Sequence, residues 1–227
     1  MWNELVLILG AYLLGSMPFM FIMGRLKGVD LREYEDMHIA LWRNVGRVQG
    51  FLGVMLDFAK GVLVVIAARA AGFEPGWVAF AGVATVAGQM WPVFMKFDGE
   101  KGNSTGIAMS ATLATKAALF AMVPMAAGFL IRTIPRFRRR DQSVNERLKF
   151  GGPPSNSLPV GMAAGFAVLP LAAWGVGQPW EVIIALVGLF VLIIVRRATA
   201  GLSEELRKPS GKKVMLLNRI LYDRSEL

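Results

Sequence analysis

Six long apolar stretches, divided by short polar segments, constrain this 227-residue chain more than any other feature. Trp2 to Met23 is apolar apart from Asn3 and Glu4 and is long enough to cross a bilayer. Those two residues stand where a signal peptide would carry basic ones, so the stretch reads as a retained helix. Phe51 to Ala71 is a second span, interrupted by Asp57, Lys60 and Arg69, and Trp77 to Met95 is a third with no charge inside it. Asn103 to Ile131 is apolar except for Lys116. Pro159 to Gly177 and Trp180 to Val195 complete the set, separated by the turn Gln178-Pro179.

Hydrophobic residues make up 55% of the chain and charged residues 18%, more apolar surface than a soluble domain of this size can hide. The chain is also basic, with 25 Lys+Arg against 16 Asp+Glu. Because the charge lies between apolar blocks, it points to membrane lipids with anionic headgroups and not to nucleic acid. With no Cys, disulfides, thiolate catalysis and Cys-metal sites are excluded. The single His, His38, argues against a His-rich metal centre or a His-led triad and reads as a loop residue.

Basic residues cluster after alternate spans: Arg25 to Arg47, Arg132 to Lys149, and from Arg196-Arg197 to Lys213. The segments at Ala71 to Gly76 and Gly177 to Pro179 carry none. This asymmetry places the N-terminus outside and the C-terminus in the cytoplasm. The loop holding Lys96 and Lys101 and the loop from Arg132 then share the cytoplasmic side, so the block between them crosses an even number of times. Two full helices need about 40 residues. A short hairpin breaking near Thr115-Lys116 fits better, if it is buried in protein. The expected fold is an all-α integral membrane protein with about seven transmembrane helical segments, two of them short. Residues 1–202 form its membrane domain and 203–227 a basic cytoplasmic tail, with an amphipathic stretch at Val214 to Leu221 suited to the membrane surface.

Three places carry chemistry. Asp57 and Lys60 share one helix face inside a span, where charged groups suggest function; a structural ion pair is an equal alternative. Phe97 to Gly106 combines glycines, Lys101 and a helix start at Ser104-Thr105, a combination that suits phosphate; an ordinary capped turn explains it as well. Asp30 to Gly50 holds Arg43, Asn44 and Arg47, which suit an anion or a solvated positive loop.

These pieces, in this order, resemble the bacterial acyl-phosphate-dependent glycerol-3-phosphate acyltransferases. The resemblance rests on Gly15-Ser16-Met17-Pro18-Phe19, Asp30-Leu31-Arg32, Asn44-Val45-Gly46-Arg47 and Asp57-Phe58-Ala59-Lys60-Gly61. Gly88 to Phe94, Lys96-Phe97 and Gly99-Glu100-Lys101-Gly102 continue it, with a weaker match at Ser157-Leu158. It implies a seven-helix fold in the inner (cytoplasmic) membrane, with a cleft facing the cytoplasm. It also implies a monomer that transfers a fatty acyl group from acyl phosphate to glycerol 3-phosphate, giving lysophosphatidic acid, with no cofactor and no metal. By the same resemblance Arg47, Lys101, Asn44, Ser157 and Gly102 bind substrate, Asp57 and Lys60 organise the cleft, and no residue is assigned as acid, base or nucleophile.

The chain departs from the family pattern in particular places. Where the family has a Gly-Ser-Gly-Asn loop followed by Gly-Ala-x-Asn, this chain reads Glu35-Asp36-Met37-His38 through to Asn44. The family's His before the Pro is Gln89, its Gly-Gly-Lys-Gly has become Gly99-Glu100-Lys101-Gly102, and its final His and Asn are Arg197 and Ala200. Two alternatives to the family reaction are therefore carried forward: a different acceptor, and a non-catalytic relative that binds lipid or a partner.

Overall fold

A computed structural model describes residues 2–34, 36–138, 141, 143–147, 155–201 and 212–224. Among these residues every regular element is helical. In chain order they are α1 (Trp2–Ser16), α2 (Phe19–Arg25), α3 (Met37–Ala40), α4 (Arg47–Ala70), α5 (Pro75–Met90), α6 (Asn103–Leu113) and α7 (Thr115–Arg138). Then come α8 (Val144–Arg147), α9 (Ser157–Gly175), α10 (Trp180–Thr199) and α11 (Lys212–Tyr222). Six stretches are long and apolar enough to cross a membrane: 2–25, 47–70, 75–95, 115–138, 157–175 and 180–199. Glu35, Arg139, Arg140, Lys149, Arg207, Lys208 and the expected boundary after residue 202 lie outside the described residues.

The first span is one apolar run with a break. Pro18 lacks the amide hydrogen a continuous helix needs and steers Met17 away from helical geometry, so α1 ends at Ser16 and α2 begins at Phe19. Pro92 ends α5 in the same way, before a 3₁₀ turn at Val93–Met95. Tyr12 ties the two breaks together by donating to the Trp91 carbonyl at 2.6 Å.

The fourth block corrects the expectation of two short segments. It breaks at Ala114 (φ −138°, ψ 65°), as a short α6 followed by a full-length α7 that runs beyond Ile131 to Arg138. Arg69, at the end of α4, donates to the carbonyls of Thr112 and Leu113 at 2.9 and 2.7 Å. Those bonds satisfy the last turn of α6, so a helix can stop there without leaving polar backbone in hydrocarbon. The extension of α7 past its first arginine is chemically ordinary, since long cationic side chains lie along apolar surface.

Val65, Ala79, Ala81, Met109, Phe166, Leu186 and Leu189 are fully buried and form the core between α4, α5, α6, α9 and α10. Outward-facing Leu9, Leu63, Ile66, Leu119, Val123 and Ile184 suit contact with lipid. Small residues let some helices touch backbone to backbone. A Cβ added at Gly15 would lie 2.0 Å from the Thr85 carbonyl oxygen, and one at Gly88 2.1 Å from that of Tyr12, which fixes α1 on α5. Gly128 and Gly161 do the same for α7 and α9.

Arg196 and Arg197 belong to the last turn of α10 and are buried. The amphipathic stretch forms α11, which packs against α9 and α10 with Met215, Asn218 and Arg219 buried. Arg197 holds it by donating to the carbonyls of Pro159 and Ile220 at 3.0 and 3.3 Å.

Candidate active site

At the centre lies the Asp57–Lys60 pair, one helical turn apart in α4 and 1% and 4% exposed. Lys60 Nζ donates to Asp57 Oδ1 at 3.0 Å and to the Gly15 carbonyl at 3.4 Å, and lies 5.2 Å from the centre of the Phe19 ring. The break between α1 and α2 thus supplies both a carbonyl and an aromatic face to the ammonium. Thr105 of α6 donates to the Asp57 backbone carbonyl at 2.8 Å. Gly61 allows that contact, since a Cβ there would meet the Thr105 carbonyl oxygen at 2.5 Å. Asp57, Lys60, Phe19, Gln89 and Glu100 line one cavity.

The loop from Pro92 to Gly102 folds back under α5. Gly99 and Glu100 donate their amides to the carbonyls of Met90 and Gln89 at 3.2 and 3.1 Å. Arg196 clamps it from α10, donating to Asp98 Oδ1 at 2.8 Å and to the Gly99 carbonyl at 2.6 Å. Gly102, with φ +74°, turns the chain into α6 in a conformation that disfavours side chains. Glu100 turns its carboxyl inward, and burial pushes it up to about 7, reinforced by Asp36 and Asp57 and opposed by His38 and Lys101.

Lys101 points the other way. Its Nζ lies 2.9 Å from Asp223 Oδ2 and donates to the Asp223 carbonyl at 3.3 Å. Next to Asp223, Arg224 bonds to Asn156, the residue before Ser157. The end of α11 therefore links the lysine loop to the start of α9. Asn44 and Arg47, at the entry to α4, are exposed and do not line the cavity. The structure thus brings Asp57 and Lys60 together, sets Lys101 and Ser157 around the end of α11, and leaves Asn44 and Arg47 exposed, outside the lining of that cavity.

The family model described as glycerol-3-phosphate acyltransferase matches residues 5–201. The chain belongs to this family. A "glycerol-3-phosphate acyltransferase 4" of Dehalococcoides mccartyi (strain CBDB1) is 26% identical over 97% of this chain and 88% of its own length. A glycerol-3-phosphate acyltransferase of Rubrobacter xylanophilus is 40% identical over 114 residues, 49% of this chain and 57% of the relative. The match to one of Aquifex aeolicus, at 36% identity, spans 53% of this chain and 65% of that protein. Among solved structures, PlsY (YgiH), an integral membrane glycerol 3-phosphate acyltransferase, superposes in its glycerol 3-phosphate form with a TM-score of 0.68. That match has 27% identity and covers 90% of this chain and 92% of the other. The chain is an all-helical, multi-pass integral membrane protein of this family.

Family membership throws the local differences into relief. His38, read from sequence as a loop residue, is 9% exposed, with Nε2 3.4 Å from Asp57 Oδ2 and Nδ1 2.8 Å from the Met20 sulphur. Gln89 is 4% exposed and lines the cavity beside it. Asp223 lies beyond the matched residues, and no local signal in the tail pairs it with a lysine 122 positions earlier.

Proposed function

We propose that this protein transfers a fatty acyl group from acyl phosphate to glycerol 3-phosphate, giving lysophosphatidic acid for phospholipid synthesis. The observation that carries this reading is the buried Asp57–Lys60 pair beside the Glu100-Lys101-Gly102 loop, in a fold superposable on the glycerol 3-phosphate form of a family member. In the reaction the acceptor hydroxyl oxygen attacks the acyl carbon and the bond from that carbon to the phosphate oxygen breaks. The hydroxyl proton ends on the departing phosphate. Phosphate is a good leaving group, so orientation and charge neutralisation account for much of the rate.

In this scheme Lys101 and Arg47 hold substrate phosphates, with Asn44, the Gly102 backbone and Ser157 as further polar contacts. Asp57 and Lys60 keep the helices around the cleft in register. The protein works as a monomer in the inner (cytoplasmic) membrane, with the cleft facing the cytoplasm.

The test is phosphate release from palmitoyl phosphate by detergent-purified protein, with and without glycerol 3-phosphate. Release that requires glycerol 3-phosphate and is lost in Lys101→Ala is the expected result. Release without acceptor dependence, or no release from folded protein, contradicts the reading.

A further inference from the structure

Three side chains that the acyl-transfer scheme does not use converge beside the Asp57–Lys60 pair. One ligand-capable atom from each of Asp36, His38 and Glu100 lies within 4.8 Å of the other two. Asp36 and His38 come from the start of α3, and Glu100 from the loop before α6. Two stretches that depart from the family pattern, at 35–44 and at residue 100, therefore meet in space.

The surrounding groups favour a cation there. His38 places Nε2 3.4 Å from Asp57 Oδ2 and Nδ1 2.8 Å from the Met20 sulphur. Asp57 is 1% exposed, and among the described residues its Oδ2 has no hydrogen-bond donor. Glu100 Oε1 is likewise buried without a partner among them. Gln89, 4% exposed on the same cavity wall, has neither side-chain polar atom bonded among them. Buried polar and charged oxygens without partners are costly.

We propose that Asp36, His38 and Glu100 bind one divalent metal ion at the edge of the Asp57–Lys60 cavity. One imidazole and two carboxylates suit Mn²⁺ or Zn²⁺ better than Mg²⁺ or Ca²⁺, which prefer all-oxygen sites. Asp57 Oδ2, 3.4 Å from His38 Nε2, stands next to that set. A metal here is a departure from the metal-free chemistry that the family resemblance implies. It replaces, with a single cation, the glycine and serine groups that this chain lacks between residues 35 and 44. Any use toward substrate, where the ion would supply positive charge for a phosphate, rests on the reaction proposed above; its binding does not.

Full-length protein in detergent, stripped with EDTA, is titrated with MnCl₂ without substrate, and free Mn²⁺ is read by electron paramagnetic resonance. The expected result is saturable binding of one ion per chain, competed by Zn²⁺. Glu100→Gln and His38→Gln should each weaken it roughly tenfold or more, while Glu74→Gln, an exposed carboxylate outside the cluster, leaves it unchanged. Thermal unfolding in EDTA checks that the variants fold, and the isosteric Glu100→Gln carries the test if His38→Gln does not. Non-saturating binding to the wild type, or saturable binding that survives Glu100→Gln, overturns the proposal. Because the readout contains no acyl donor or acceptor, failure of acyl transfer leaves this result standing.

Discussion

The Lys101 ammonium lies 2.9 Å from the Asp223 carboxylate, so the lysine expected to hold a substrate phosphate is engaged by the C-terminal end of the same chain. The lysine is partly exposed and the pair competes with water, which limits its worth to about 1 kcal/mol or less. A phosphate that takes over the lysine must first displace that carboxylate. Asp223→Asn should therefore lower the KM for glycerol 3-phosphate, by up to about fivefold, with little change in kcat. Steady-state kinetics at fixed palmitoyl phosphate measures it.

The Asp57–Lys60 pair is buried enough that losing one partner strands the other. Lys60→Met should destabilise the protein by ~3–5 kcal/mol, and adding Asp57→Leu should recover much of that loss. A double-mutant cycle on thermal unfolding in detergent checks the coupling. A double variant no more stable than Lys60→Met would mean that the aspartate is held by other contacts.

The Glu100 carboxyl is raised from 4.5 to about 7 in the folded protein. Across that window the unfolded chain releases its proton and the folded one retains it, so the folded state binds more protons and stability falls as pH rises. The groups facing it, His38, Asp36, Asp57 and Lys101, remain in a Glu100→Gln variant. In EDTA, the stability of wild type relative to Glu100→Gln should drop between about pH 4.5 and 7 and level off above that. Melting temperatures of the two proteins over this range give the curve.

Close helix contacts yield a contrast within one family of substitutions. Gly161→Val forces a side chain into the Pro124 carbonyl, whose oxygen would lie 2.6 Å from the new Cβ, and should cost about 1–3 kcal/mol. Gly188→Ala in α10 meets no atom within 4 Å and should be neutral or slightly stabilising. Thermal unfolding of the two variants side by side tests the difference.

The helical spans were legible because hydrocarbon imposes one length and one chemistry on everything that crosses it. Helix ends were less so where cationic side chains follow the apolar run. Arg132 and Arg196-Arg197 look like loop residues by charge, yet their aliphatic stems let the helix continue and their heads find carbonyls or water. The Asp57–Lys60 pair was readable from helical spacing. The His38 contact with Asp57 and the Asp223 contact with Lys101 were not, because each joins distant segments through tertiary packing. Asp36 and Glu100 were visible as oddities of composition, and only the fold shows that they lie together.

The seams between helices differ in what fills them. At α1–α5, α4–α6 and α7–α9, glycine backbone lies directly on backbone of the facing helix. Next to the cavity, however, the gap opposite Gly53 of α4 is filled by the Met20 side chain from α2, with its Cγ 2.9 Å from where a Cβ would stand. Peptide planes cannot swing aside, whereas an unbranched thioether can change rotamer. The wall at Gly53 can therefore give where those three backbone seams cannot, and the side chain that lends it this play is also the one that holds the imidazole of His38.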